Sequence, residues 1–165
     1  MSYREGRFWQ PDVTVATVVV RDGRLLVVEE RVNGALVLNQ PAGHLEPDES
    51  LIDAALRETR EETGLVFTAP DLLDLGRFTY TGKKDLHLFG AASERVDPLA
   101  LCCESTFVER GSGRRLPEMD GFGWFAIDRL GELCTSRMAA VLVQALDGRR
   151  VVDTLAAPAP ARLAA

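Results

Sequence analysis

From Gly43 to Leu65 the chain reads GHLEPDESLIDAALRETREETGL, in which a glycine-containing loop leads into a helix that ends among carboxylates. Asp48 and Ser50 are both residue types that cap the N-terminus of a helix, and an acid follows Ser50 by three residues as in a capping box. Gly64 supplies the left-handed residue that ends a helix. The pattern therefore predicts a single helix of about four turns.

Three glutamates, Glu58, Glu61 and Glu62, stand at positions i, i+3 and i+4 near the end of this helix. Their carboxylates converge on one side, where they repel each other close to the negative end of the helix dipole. A bound divalent cation is the simplest remedy, and ligands that are all oxygen favour Mg²⁺ or Mn²⁺ over zinc. The alternative is a solvated helix face on which Arg57 and Arg60 form salt bridges.

The same face of the helix continues toward its N-terminus with small and apolar residues, Leu51, Ala54 and Ala55. A solvated face would be polar there, so the pattern indicates that the face is packed against another segment. We expect that segment to be the preceding loop at Pro41-Ala42-Gly43, because a glycine backbone can approach a neighbour closely.

The spacing resembles the Nudix box, which reads glycine, five residues, glutamate, seven residues, Arg-Glu-aliphatic, one residue, Glu-Glu, one residue, glycine, aliphatic. Thr59 stands where the box has a bulky aliphatic residue, and it is β-branched and can still pack. Chance agreement at this level is on the order of 10⁻⁸ per start position. The matching positions are Gly43, Glu49, Arg57, Glu58, Glu61, Glu62, Gly64 and Leu65.

The resemblance implies an α/β protein, a Nudix-type α/β/α sandwich around a mixed β-sheet, that catalyses hydrolysis with Mg²⁺, or Mn²⁺ in its place, as cofactor. It implies that Glu61 and Glu62 are the principal metal ligands, together with the backbone carbonyl at Gly43. Glu58 is then a further ligand or the general base. Both roles stay open, because a carboxylate beside metal ions has a depressed pKa and is a weak base.

Other positions of the box have supporting roles in this interpretation. Arg57 lies one helical turn from Glu61 and is expected to orient it for catalysis. Glu49 lies near the start of the helix and is expected to fix the loop, while Gly64 closes the motif.

The resemblance extends beyond the box to Asn39-Gln40-Pro41-Ala42-Gly43-His44-Leu45-Glu46, which is most like the NudJ-type phosphatase branch of the family. That branch implies hydrolysis of nucleoside di- and triphosphates, or of the thiamine precursor hydroxymethylpyrimidine pyrophosphate, with release of orthophosphate. The alternatives are an ADP-ribose or dinucleoside-polyphosphate pyrophosphatase, an isoprenoid-diphosphate isomerase, and a metal-free binding module. The expected partner is a small phosphorylated molecule.

Five residues are candidates for contact with substrate. His44 follows the box glycine and is either a phosphate contact or a plain loop residue. Tyr80 lies in a region where some family members stack a base, although a strand tyrosine is often plain packing. Lys83, with Lys84 beside it, lies at a hairpin tip, where it either contacts a terminal phosphate or is solvated. Glu118 and Asp120 precede a late strand, where Nudix enzymes frequently supply another metal-linked acid, although such acids are also common as solvated loop residues.

Length and composition fit a small enzyme. With 165 residues, 46% of them hydrophobic, the chain is long enough for one domain over 1–154, and the Ala/Pro-rich segment 155–165 is predicted to be a disordered tail. The net charge of −6 argues against a surface that binds along nucleic acid.

The chain has three cysteines, an odd count, and it lacks a signal peptide or membrane span, which together indicate a cytoplasmic protein. Both a monomer and a homodimer are compatible with the sequence.

The secondary structure is predicted from hydrophobic periodicity and turn residues. Apart from the central helix, we expect strands over 13–20 and 25–30 joined at Asp22-Gly23, then strands over 36–38, 72–80 and 86–92, a long loop over 97–117 with a weak strand over 106–109, a late strand over 123–127 and a second helix over 136–146.

Overall fold

A computed structural model describes residues 13–32, 35–93 and 101–146. It contains a seven-stranded mixed sheet and a separate two-stranded ribbon. The sheet consists of β1 (Val13–Arg21), β2 (Arg24–Val32), β3 (Ala35–Asn39), β4 (Ala42–His44), β5 (Leu73–Thr79), β6 (Asp85–Ala92) and β9 (Met119–Ala126). The ribbon consists of β7 (Thr106–Val108) and β8 (Arg115–Pro117), and the helices are α1 (Leu51–Thr63), α2 (Leu130–Leu133) and α3 (Ser136–Ala145), with 3-10 turns at Ala69–Asp71 and Ile127–Arg129.

Strand β1 organises the sheet. It runs parallel to β6 along its length and antiparallel to β4 near its start. It meets β2 at the hairpin, where Asp22 and Gly23 have φ values of 49° and 71°, as in the two-residue turns whose twist suits a hairpin. Beyond the hairpin β2 pairs with β3 and β9 instead. The hairpin predicted at Asp22-Gly23 is confirmed.

The two faces of β1 pack against different helices, because successive side chains of a strand point to opposite sides. Val18 and Val20 lie in a core cluster with residues of α3, whereas Val15 packs with Ala54 and Ala55 of α1. A strand covered on both faces needs a continuous apolar run, which explains the uninterrupted burial of the first eight residues of β1. The result is the predicted α/β class, with helices on both sides of a mixed sheet.

Three short or shifted elements differ from the sequence prediction. Strand β4 forms immediately after Pro41, where a loop was expected, and β8 forms within the expected loop over 97–117. Strand β9 begins at Met119, four residues before the predicted start at 123. These elements gain order from their partners β1, β7 and β2, so local sequence carries little signal for them.

Two further expectations concern the ends of the chain and the membrane. The predicted tail over 155–165 lies outside the described residues. Among the helices of the described residues, none is both long and apolar enough to cross a bilayer.

Candidate active site

Helix α1 begins and ends at the residues that the sequence predicts. The Ser50 hydroxyl accepts a hydrogen bond from the Asp53 amide at 3.1 Å. Gly64 takes the left-handed conformation with φ 76°, and its amide donates to the Arg60 carbonyl at 2.7 Å. These caps fix the axial position of the helix, and with it the position of the glutamates in its last turns.

The glutamate face of α1 packs against the loop that precedes the helix. The Ala42 amide donates to Glu62 Oε2 at 3.0 Å. Gly43 lies so close to the Glu58 carboxyl group that a Cβ atom at this position would overlap with it. The packing that the sequence predicts between the helix and the loop at Pro41-Ala42-Gly43 is therefore confirmed, and the lack of a side chain at Gly43 leaves room for the Glu58 carboxyl group in this arrangement.

Thr59, the one departure from the box pattern, is buried against the sheet. Its hydroxyl donates to the Thr17 hydroxyl of β1 at 2.9 Å, and Thr63 donates to the Thr59 carbonyl at 2.5 Å. A polar side chain is tolerated at this buried position because it finds a partner on the strand. The departure changes local packing and leaves the glutamates in place.

Arg57 joins the loop to the helix. Its Nε and Nη2 atoms donate to the two carboxylate oxygens of Glu49 at 2.8 and 3.0 Å, a two-point contact that holds the pKa of Glu49 below its usual range. Nη1 donates to Glu58 at 2.7 Å and to Glu61 at 3.3 Å. Nη2 also donates to the His44 carbonyl at 2.9 Å. One guanidinium group thus orders three of the box acids and the end of the glycine loop.

A second group of acids, which shares Glu58 with the first, surrounds Glu62 on the same face of the helix. Glu62 is 3% exposed, and burial, together with the charges of Glu58, Glu30 and Glu118, raises its pKa to about 9. Burial also raises the pKa of Glu30 and of Glu58, with a contribution from Glu118 in each case. In this group, each charge makes the ionisation of its neighbours harder.

Glu118 and Asp120, the two acids predicted before the late strand, occupy different places. Glu118 lies beside the acids of α1, and its amide donates to the Ser105 carbonyl at 3.1 Å. Asp120 lies within β9 and is exposed, because that strand begins earlier than the sequence indicates. Glu30 was not among the predicted site residues, although an acid at the polar end of an apolar strand is a signal for one.

The remaining substrate candidates lie near the β5–β6 hairpin. His44 Nε2 lies 3.5 Å from Lys84 Nζ, and His44 Nδ1 lies 3.4 Å from the Thr14 hydroxyl. Partial burial and the charge of Lys84 lower the pKa of His44. Lys83, the lysine that the sequence favours, is exposed at the tip. Tyr80 packs partly buried against the core cluster on the α3 side of the sheet.

A segment after β6 crosses the C-terminal end of α1, a feature that the sequence did not indicate. The amides of Cys102 and Glu104 donate to the carbonyls of Thr63 and Glu61 at 3.0 and 2.6 Å. These bonds satisfy helix-end carbonyls that would otherwise lack partners. A Cβ atom on Gly64 would lie 2.7 Å from Cys102 Sγ, so Gly64 provides room for this segment as well as the left-handed turn.

A profile of the NUDIX domain matches residues 10–143, which is well over half of the chain. The chain belongs to the Nudix family. This confirms the family expected from the box residues and identifies the protein as a member of a family of enzymes.

Individual Nudix proteins show similarity of two kinds. Phosphatase NudJ of Escherichia coli K12 is 60% identical over 57 residues, which are 34% of this chain and 37% of that protein, so the match spans little more than a third of either. A NUDIX hydrolase from Nitrosomonas europaea superposes with a TM-score of 0.59 at 28% identity over 86% of this chain and 91% of that chain. The NUDIX domain of Shewanella oneidensis NrtR, solved with ADP ribose, superposes with a TM-score of 0.61 at 17% identity, covering 89% of this chain and 93% of that chain, which shows a shared fold.

Nudix hydrolases generally use divalent metals such as Mg²⁺ or Mn²⁺, and the donors of this Nudix helix fit such an ion. The atoms that face one another around Glu58 and Glu62 are carboxylate oxygens beside the backbone of the Gly43 loop, a set that suits Mg²⁺ or Mn²⁺. Among the described residues, no three His, Cys, Asp or Glu side chains already form a coordination shell. Binding would therefore draw the carboxylates closer together, and the cation would offset the burial and the repulsion that raise the pKa values of Glu58 and Glu62.

Proposed function

We propose that the protein is a Nudix phosphatase that uses Mg²⁺, or Mn²⁺ in its place, to hydrolyse a diphosphate-linked small molecule. One observation carries this proposal: the fold gathers Glu30 and Glu118 around Glu58 and Glu62, which pack against the loop at Ala42-Gly43, and burial together with neighbouring charges raises the pKa values of Glu58, Glu62 and Glu30. A cluster of that kind is stable in its ionised form when a cation is bound. The partial match to phosphatase NudJ supports a phosphatase that releases orthophosphate. The resemblance of segment 39–46 to that branch implies nucleoside di- and triphosphates, or hydroxymethylpyrimidine pyrophosphate, as the substrates.

The residues of helix α1 have different roles in the proposed reaction. In this proposal Glu58, Glu61 and Glu62 hold the metal together with the backbone carbonyl at Gly43. Bound there, the metal would neutralise phosphate oxygens and activate the attacking water. Arg57 orients Glu58 and Glu61 through its hydrogen bonds and keeps them from turning toward solvent.

We propose that Glu118 is the general base, which accepts the proton from the attacking water. Glu58 Oε1 already accepts a hydrogen bond from Arg57 at 2.7 Å, and its carboxyl group lies against the Gly43 loop, so it has little freedom to accept a proton from a water molecule. In the described part of the chain no cation forms an ion pair with Glu118. A Glu118→Gln variant should therefore lose turnover while keeping its affinity for Mn²⁺ within about threefold, whereas Glu62→Gln should lose both.

A screen of product release tests the reaction. The purified protein with Mg²⁺ is given ADP, ATP, hydroxymethylpyrimidine pyrophosphate, ADP-ribose and diadenosine tetraphosphate, and orthophosphate and AMP are measured separately. We expect orthophosphate from the substrates that carry a terminal diphosphate. A tenfold preference for ADP-ribose in kcat/KM, worth about 1.4 kcal/mol, would overturn the assignment to the phosphatase branch and leave the metal chemistry standing.

A further inference from the structure

Two basic groups from distant parts of the chain meet at one end of the sheet. His44 is the last residue of β4, and Lys84 immediately precedes β6. Thr14 of β1 pairs in register with His44 on one side and with Leu86 on the other, so the two flanking strands carry their ends to the same place. His44 Nε2 and Lys84 Nζ then lie 3.5 Å apart.

The acids near this pair are bound to other cations. Asp85, next to Lys84 in the chain, accepts a hydrogen bond from Arg77 at 2.8 Å. Glu49 is held by Arg57 at 2.8 Å. Within the described residues no carboxylate forms an ion pair with Lys84. In a protein whose net charge is −6, a lysine that faces a histidine without an acid between them is available for an anion from solution.

Backbone hydrogen bonds hold Lys84 in position. Its carbonyl accepts from the amides of Tyr80 and Thr81 at 3.1 and 2.8 Å, and its own amide donates to the Thr81 hydroxyl at 2.9 Å. The turn is thus closed on itself, and Lys84 is only partly exposed, unlike Lys83 at the tip. A cation fixed in this way loses less conformational entropy when it binds a ligand than a mobile one does.

His44 is also oriented from two sides. Arg57 donates to its backbone carbonyl at 2.9 Å, and the Thr14 hydroxyl lies 3.4 Å from Nδ1. Because an ammonium group only donates, the contact with Lys84 makes Nε2 the acceptor and places the ring proton on Nδ1, facing the Thr14 hydroxyl. A bound phosphate oxygen would replace Nε2 as the acceptor from Lys84, and in the other ring tautomer, with the Thr14 hydroxyl donating to Nδ1, Nε2–H would donate to the same phosphate group.

We propose that His44 and Lys84 together bind the terminal phosphate group of the substrate. The proposal rests on the proposed function and deepens it, because Gly43, beside Glu58, directly precedes His44. A diphosphate could thus be held at its terminal phosphate by the pair while the metal site acts on the bond between the phosphates. The pair then selects substrates that end in a phosphate monoester over those esterified at both ends, such as ADP-ribose.

The test compares Lys84→Gln with Lys83→Gln, two variants that remove the same charge from adjacent residues of one hairpin. We expect Lys84→Gln to lower kcat/KM for ADP or hydroxymethylpyrimidine pyrophosphate at least tenfold and to leave kcat/KM for ADP-ribose within twofold. Lys83→Gln reports the general effect of one lost charge and should stay within about threefold for every substrate. Lys84→Arg should restore part of the selectivity. Equal losses in the two glutamine variants, or equal losses for both substrate classes, would overturn the proposal.

A second measurement does not depend on turnover. Inorganic phosphate is titrated into the metal-free protein, and the NMR signals of the His44 ring nitrogens are followed. We expect saturable shifts in the wild type, at least tenfold weaker binding in Lys84→Gln, and near wild-type binding in Lys83→Gln. If these signals do not shift in the wild type, His44 and Lys84 do not bind phosphate, and the proposal is wrong. If phosphate binds as expected but no substrate releases orthophosphate, the proposed function fails while the anion site stands.

Discussion

The glutamate face of helix α1 has two sides, one beside Arg57 and one around Glu62, and the pKa values of Glu49 and Glu62 shift in opposite directions in them. On one side Arg57 bonds to Glu49, Glu58 and Glu61, and the pKa of Glu49 falls. On the other side Glu62 is buried with one backbone hydrogen bond, and burial, together with the charges of neighbouring acids, raises its pKa to about 9. The compensated side, formed by Arg57 with Glu49 and Glu61, holds the loop on the helix. On the uncompensated side, formed by Glu62 and its acidic neighbours, ionising the carboxyl groups costs free energy, and a bound cation would reduce that cost.

The largest effect is expected from Glu62→Gln. The amide oxygen of glutamine can still accept from Ala42, so the fold should remain, but one anionic metal ligand is lost. We expect kcat to fall by at least about a hundredfold, or ~2.7 kcal/mol, with a melting temperature in chelator equal to or above that of the wild type. Turnover with Mg²⁺ and thermal melts measure both.

The matched control is Glu132→Gln, which makes the same change at an exposed acid of α2 that forms an ion pair with Arg129. This variant should be indistinguishable from the wild type, since exposed ion pairs contribute little. Wild-type turnover in Glu62→Gln would reject the assignment of a metal ligand to the uncompensated side.

Sequence alone locates α1 and its acids because each signal is local. Ser50 and Gly64 mark the ends through their own side-chain and backbone chemistry, and the spacing of the glutamates places them on one face. The same holds for the hairpin at Asp22-Gly23. The compensated side was partly visible too, since Arg57 and Glu61 are one turn apart.

Features that depend on distant partners were not visible in the sequence. Strand β4 has three residues and exists because β1 pairs with it. Glu30 joins the acids through the pairing of β2 with β9, where the register shifts beside it. The choice between Lys83 and Lys84 depends on how the hairpin turn closes, which neighbouring residue identities do not determine. Periodicity carries no information about any of these contacts.

Gly43→Ala probes the contact that joins the helix to its loop. The added methyl group would occupy the space of the Glu58 carboxyl group, so either the loop or the glutamate must move. We expect the free energy of unfolding to fall by ~2 kcal/mol and kcat to fall by a factor of about 30. Gly131→Ala is the control, because a Cβ there meets nothing within 4 Å and the position is helical. Denaturant unfolding and turnover of both variants decide whether the effect belongs to the site.

Arg57→Lys tests the compensated side by keeping the charge and removing the planar, two-point contact. A lysine ammonium group cannot bind both oxygens of Glu49 and also reach Glu58 and the His44 carbonyl. We expect a loss of ~2 kcal/mol in stability and about tenfold in kcat. Arg60→Lys, at an exposed position of the same helix, should change neither. Equal behaviour of the two variants would show that the Arg57 network adds nothing beyond its charge.

The smallest effect concerns pH in the presence of a chelator. The pKa of Glu62 in the folded protein is about 9, above its usual 4.5, so this group contributes full stability below pH 4.5 and loses that contribution as the pH rises toward 9. Between pH 7 and 8 the loss is ~1 kcal/mol, or about 3 °C in melting temperature. Glu62→Gln should flatten this slope, and saturating Mg²⁺ should flatten it in the wild type, because a cation bound to the folded state favours the ionised carboxylate. A slope that persists unchanged in Glu62→Gln would mean that other acids, not the uncompensated side of α1, set the pH dependence of stability.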